Sequence, residues 1–186
     1  MMDNGAFTAY TKGKPLDEAG FEAWCEQYLC APNWAVIPDV IGGTVEEQRA
    51  LIGRWTFPVD LSAPVWHLHL PIEWLLELCD RFPKVCLGSS GDFWQIGTRK
   101  WTQRMDQVFE ALSKHRRFIP WIHGMRMLGQ ADGVWPLASA DSSNIARHHA
   151  ELRISPEVMA QRIDAIQPAR KWKPSPQISL LEEANG

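Results

Sequence analysis

The sequence predicts an α/β fold of the (β/α) TIM-barrel-like kind, lacking the first one or two strand–helix units. Three observations lead there. Short apolar runs alternate with helix-like stretches along the chain. The runs are apolar throughout, as parallel strands buried on both faces are. Side chains capable of chemistry fall at the ends of nearly all of them, and in a barrel those ends open on one face, where the chemistry sits. No G-x-G-x-x-G follows the first run, which argues against a dinucleotide-binding open sheet.

The elements follow in order. The chain opens MMDNGAF. Asp-Asn-Gly is turn chemistry, so MM reads as the last piece of a strand and DNGAF as the loop above it. Residues 17–30 place Phe21, Trp24, Cys25 and Tyr28 on one helical face. The run WAVIPDV (34–40) is the next strand. Thr44 precedes Glu46 and Glu47, acidic residues suited to a helix N-terminus, and Ala50, Leu51 and Trp55 continue with helical spacing. APVWHLHL (63–70) is a strand, and 71–81 a helix with Pro71 at its first position. KVCLGSSG (84–91) is a strand ending in small residues. Residues 98–115 form a helix capped by Thr98, with Trp101, Met105, Val108, Phe109 and Leu112 inward. FIPWIHG (118–124) and VWPLASADSSN (134–144) are the last strands. Ser155 caps a helix over 156–166. The chain thus holds about six strand–helix units against the eight of a closed barrel. The expected organisation is one partial barrel domain, 1–166, with a flexible Pro-rich polar tail over 167–186.

Composition narrows the setting. The chain has 186 residues, 45% of them apolar, with ten tryptophans and a net charge of −3. No run approaches the roughly 18 apolar residues of a membrane span. No signal-peptide pattern is seen at the start, so a cytoplasmic protein with no membrane partner is expected. The net charge gives no general reason to expect nucleic acid, although Lys114-His115-Arg116-Arg117 and Arg170-Lys171-Trp172-Lys173 are local basic clusters. The four cysteines form no C-x-x-C pair, so buried reduced thiols are expected.

The strand ends carry a resemblance. DNGAF, IPDVIGG, PVWHLHLP, LGSSGDFWQIGT, HGMRML and SADSSNIAR resemble, in order and spacing, segments of a set of phage and bacterial proteins that have further sequence before DNGAF. More distantly the pattern is similar to the tRNA-guanine transglycosylase superfamily, including enzymes that place 7-deazaguanines into DNA. That resemblance implies a (β/α)8 barrel that exchanges guanine for a deazapurine through a covalent glycosyl–carboxylate intermediate. It implies Asp141, in SADSSN, as the catalytic nucleophile and Asp3, in DNGAF, as the proton-handling carboxylate. Asp39 would recognise the guanine edge. The strand bearing His67 stands where the superfamily has a base-contacting Gln-Gly-Gly segment, and Gly88 and Ser89 stand in its Leu-Gly-Gly turn. His123, in HGMRML, joins the expected substrate-binding set. The superfamily's zinc site needs three Cys and a His, and nothing after Cys86 supplies a Cys, so no cofactor is expected.

The residues support that chemistry directly. Glycosyl transfer needs one carboxylate to attack C1′ and another to manage the base's proton. Trp66, Trp94 and Trp121 are candidate stacking surfaces. Two rival readings remain open. The His-x-His of VWHLHL, with alternate residues on one strand face, makes His67, His69, His123 and Asp141 a candidate zinc set of amidohydrolase type. A barrel short of its leading strands has an open edge. It would then be an inactive prophage product, a homo-oligomer, or a chain that works beside a partner. Asp141, Ser142 or Ser143 also suits a helix N-cap.

Overall fold

A computed structural model describes residues 1–115, 119–142 and 153–166. The chain is mixed α/β with parallel strand pairing and six α-helices among the described residues. It divides into two compact units, Met1–Gln95 and one that begins at Ile96. The expected tail, the Arg170–Lys173 cluster and Ser143 lie outside the described residues, as do Arg116 and Arg117.

In the first unit Met2 forms a parallel bridge to Ala35, its carbonyl accepting from Val36 N–H at 2.9 Å. The expected strand at MM is thus a single bridging residue. DNGAF, expected as a loop, runs straight into helix α1, Ala6–Thr11, with Gly5 at φ 76° before it. Helix α2, Glu18–Tyr28, is capped by Asp17, whose carboxylate accepts from Gly20 N–H. It packs Phe21 and Cys25 against Met2 and Ala35. Strand β1 is Ala35–Val36, and helix α3 is Val45–Arg54. Thr44 and Glu47 form a full capping box on α3, satisfying two helix-end donors.

Strands β2, Ser62–Ala63, and β3, Val65–His67, flank Pro64. β2 pairs in parallel with β1, and β3 with β4, Lys84–Gly88. Pro64 has no N–H to give a ladder, but its carbonyl accepts from Cys86 N–H at 2.9 Å. The strands of this unit therefore follow one another in chain order: Met2, β1, β2 with β3, then β4. Helix α4, Ile72–Arg81, connects β3 to β4. Pro71 sits at its N-cap rather than its first turn, a shift of one position. Trp74, Leu75, Leu78 and Cys79 form the buried face of α4. Trp66 is completely buried and its Nε1–H donates to Pro71 O, so it is core and no stacking surface. Trp94 is 68% exposed.

In the second unit, helix α5, Arg99–His115, buries Trp101, Met105, Val108, Phe109 and Leu112, as its spacing predicts. The Thr98 hydroxyl accepts from Trp101 N–H. Trp135 packs edge-on to Trp101 at 5.2 Å and donates to the buried Asp106 carboxylate. Strands β5, Trp121–Gly124, and β6, Ser139–Ala140, pair in parallel with His123 opposite Ser139. Helix α6, Pro156–Asp164, starts at Ser155, whose hydroxyl accepts from Val158 N–H.

All four cysteines are free. Cys25, Cys79 and Cys86 are buried as expected, and Cys30 is exposed, against expectation. Burial first, and Glu22 second, push the Cys25 thiol up to about 11. Among the described residues no helix is long and apolar enough to cross a membrane.

Thr44→Ala removes the capping-box oxygen from α3. It is expected to cost about 0.5–2 kcal/mol in urea unfolding, whereas an unchanged midpoint would show that the box carries no net stability.

Candidate functional site

In the first unit the residues after the strand ends form a connected polar group. Asn4 is buried, and its Nδ2 donates both to Ile37 O and to Asp39 Oδ1, each at 2.9 Å. Its own carbonyl accepts from Ala6 N–H, which starts α1. The other oxygen of Asp39, Oδ2, lies 2.8 Å from His67 Nε2. Both side chains are buried, with 6% and 4% of their surface exposed. A carboxylate oxygen accepts, so His67 Nε2–H donates. His67 Nδ1 has no hydrogen-bond partner among the described residues. A Cβ added at Gly88 would stand 2.8 Å from that nitrogen, so the ring lies directly against the glycine's backbone. Ser89 is buried beside it in sequence.

Asp3 takes no part in this group. It is exposed, and its carboxylate accepts from Gly5 N–H at 3.2 Å. His69 does not share a strand face with His67, contrary to the alternation expected of VWHLHL. β3 ends at His67, and Leu70 N–H turns back to His67 O at 2.9 Å. The two rings are 5.9 Å apart, and both His69 nitrogens are engaged, Nδ1 with Ser90 Oγ and Nε2 with Gly43 O. Among the described residues no three His, Cys, Asp or Glu side chains come together as a metal site.

The second unit has its own array. His123 stands opposite Ser139 on β6, and Asp141 is two residues on, so all three share a face. His123 Nε2 lies 3.2 Å from Asp141 Oδ1 and its Nδ1 2.8 Å from Ser139 Oγ. With Nε2–H donating to the carboxylate, Nδ1 accepts from the Ser139 hydroxyl. Trp121 Nε1–H donates to the same Ser139 oxygen at 3.2 Å. Every donor in this chain points toward Asp141. Arg126 N–H adds a further bond to Asp141 Oδ1 at 2.7 Å, from a backbone held at φ 58°.

Burial raises the Asp141 pKa, but the bonds from His123 and Arg126 N–H outweigh it and hold the carboxyl below its ordinary value. Its side chain stays 36% exposed. A cavity of about 220 Å³ adjoins the array, lined in part by Leu128, Leu137, Ser139, Ala140 and Ile163. Trp121 is 45% exposed. Asn4, Ser139 and Arg126 were not singled out from the sequence. Ser139 alone carried a signal, its spacing of two from Asp141.

Two outcomes follow. Gly88→Ala drives a methyl against the buried His67 ring and Val65, and is expected to destabilise by about 1–3 kcal/mol. Stability unchanged in urea would show that the ring moves aside freely. Asp141 is depressed in the folded state, so the stability it contributes is present above the ordinary aspartate range and is lost as pH falls through the depressed value. Urea unfolding from pH 6 down to pH 2, an interval set around the ordinary aspartate pKa of about 3.9, is expected to show a shallower acid loss in Asp141→Asn than in the parent chain. Coincident curves would remove the inferred bonding.

Comparison of the chain with protein-family models, with curated proteins and with solved structures gives no match.

Proposed function

We propose that the chain is a transglycosylase-like enzyme. It exchanges guanine or 7-deazaguanine in nucleic acid through a covalent glycosyl ester on Asp141, on a (β/α) barrel-like fold. The observation that carries this reading is the state of Asp141. Oδ1 is anchored by two N–H donors, the carboxyl is held ionised, and Oδ2 has no hydrogen-bond partner among the described residues. A carboxylate that is ionised, fixed through one oxygen and free at the other suits a nucleophile. Oδ2 attacks C1′ as the glycosidic C–N bond breaks, and the base leaves with that electron pair and takes up a proton. The incoming base reverses the step, losing a proton as it displaces Asp141.

The remaining roles are those the resemblance implies. Asp3 handles the base's proton. Asp39, with His67, Gly88 and Ser89, is the base-edge set, and a base reaches Asp39 only by displacing Asn4 or His67, which already take its two oxygens. His123 holds the nucleophile instead of touching the base, since both its ring nitrogens face Ser139 and Asp141. Chain-order succession of parallel strands in the first unit favours a barrel over a doubly wound sheet, whose strand order reverses. The reading places the protein in the cytoplasm of a phage-infected or prophage-bearing cell. It takes nucleic acid as substrate without a resident cofactor.

The test is adduct trapping. The full chain is incubated with guanine-containing DNA and RNA oligonucleotides and resolved on a denaturing gel. A covalent protein–nucleic acid species is expected with one of them. Asp141→Asn is expected to lose it while keeping the parent's circular dichroism. Base exchange by that variant, or no adduct from the parent chain with either nucleic acid, overturns the proposal.

A further inference from the structure

We propose that Ser90 is a nucleophilic hydroxyl activated by His69. The pair forms an acyl-transfer site within the first unit that accepts carboxylic esters with an apolar or aromatic acyl group. The site does not involve Asp141 and stands whether or not the glycosyl-transfer reading does.

The direction of the hydrogen bonds carries it. Gly43 O lies 2.9 Å from His69 Nε2, and a carbonyl oxygen only accepts. Nε2 therefore bears the proton, and Nδ1 of the neutral ring presents a lone pair. Ser90 Oγ is 2.9 Å from that lone pair and donates its hydrogen to it. A nucleophile, a base and a third group that fixes the base's tautomer are thus in line, with a backbone carbonyl in the third place. The oxygen of Ser90 accepts no hydrogen bond among the described residues. Ser139, its counterpart in the second unit, already accepts from Trp121. That difference leaves the Ser90 oxygen, in a residue only 4% exposed, with no competing donor among the described residues, and keeps Ser139 as a holder of His123.

Local backbone places the pair. Ser90 is extended at φ −149°, two residues past the end of β4, and Gly91 follows at φ 55° into a single 3-10 turn over Gly91–Phe93. A Cβ at Gly91 would stand 3.1 Å from the Cβ of His69, so only glycine combines that left-handed turn with this approach to the histidine. The same turn is closed by Trp94 N–H on Gly91 O at 3.2 Å, and the exposed Trp94, four residues beyond Ser90 in sequence, is the aromatic side chain assigned to the acyl group.

In the acylation step Ser90 Oγ bonds to the ester carbonyl carbon and its proton passes to His69 Nδ1. The carbon–oxygen bond to the leaving alcohol then breaks, and the alcohol takes that proton. Water repeats the sequence, releasing the acid and restoring the hydroxyl.

The full chain is treated with an alkyl fluorophosphonate, which forms a P–O bond to an activated serine and expels fluoride. Hydrolysis of 4-nitrophenyl acetate and 4-nitrophenyl benzoate is followed separately. One phosphonyl group mapping to Ser90 is expected, with the benzoate favoured. Ser90→Ala is expected to lose the label and at least about 100-fold of the hydrolysis rate, while Ser113→Ala, on the exposed face of α5, keeps both. His69→Gln can still bond Gly43 and Ser90 but is a poor base. It is expected to retain the parent's melting temperature and lose labelling, which covers the case of a Ser90→Ala chain that does not fold. An unlabelled parent chain, label on another residue, or parent-like labelling of His69→Gln overturns the site. None of these readouts uses nucleic acid, so failure of the Asp141 adduct is seen separately.

Discussion

A carboxylate withdrawn from water must be hydrogen-bonded, and much of the first unit is arranged around meeting that demand at Asp39. One oxygen takes Asn4 and the other His67. Asn4 follows the Met2 bridge, Asp39 lies three residues past β1, and His67 ends β3. Three segments far apart in sequence are thereby joined through a single side chain. The strands themselves are only two or three residues long at β1, β2 and β3, so their ladders alone give little length over which to set register. The polar group beyond their ends supplies side-chain specificity that a longer sheet would draw from more pairs.

The imidazoles extend this logic from stability to chemistry. Each ring has two nitrogens, and the partner of one decides what the other can do. Asp39 takes the Nε2 proton of His67 and leaves Nδ1 against Gly88. Gly43 takes that of His69, and Asp141 that of His123. The fold therefore holds three histidines in one tautomer by three different acceptors. Where the second nitrogen meets a hydroxyl, as at Ser90 and Ser139, the result is a polarised pair. Where it meets only backbone, as at Gly88, the ring is a wedge.

The helices were legible because their apolar residues recur with the helical period. The face of α5 from Trp101 to Leu112 is buried as its spacing says. Strands were overread. WAVIPDV contracts to Ala35–Val36, since Pro38 has no N–H for a ladder and Asp39 turns to Asn4 and His67 instead. Within the described part of VWPLASADSSN, residues 134–142, the strand is Ser139–Ala140, with Trp135 drawn onto Trp101. Alternation placed His67 and His69 on one face, but the turn closed on His67 O ends the strand between them. For the candidate sites, aspartates and histidines at run ends were visible as chemistry. Their partners were not. Asn4 looks like any turn residue, serines carry no periodic signal, and the direction of a histidine's hydrogen bonds appears only once the acceptor is known.

The unequal setting of the thiols has a practical side. Cys25, Cys79 and Cys86 are enclosed, and Cys25 is further held in its unreactive protonated form, while Cys30 lies open just beyond α2. A maleimide dye or nitroxide added to the native chain would therefore report from one address, the loop entering β1, without any cysteine having to be engineered away.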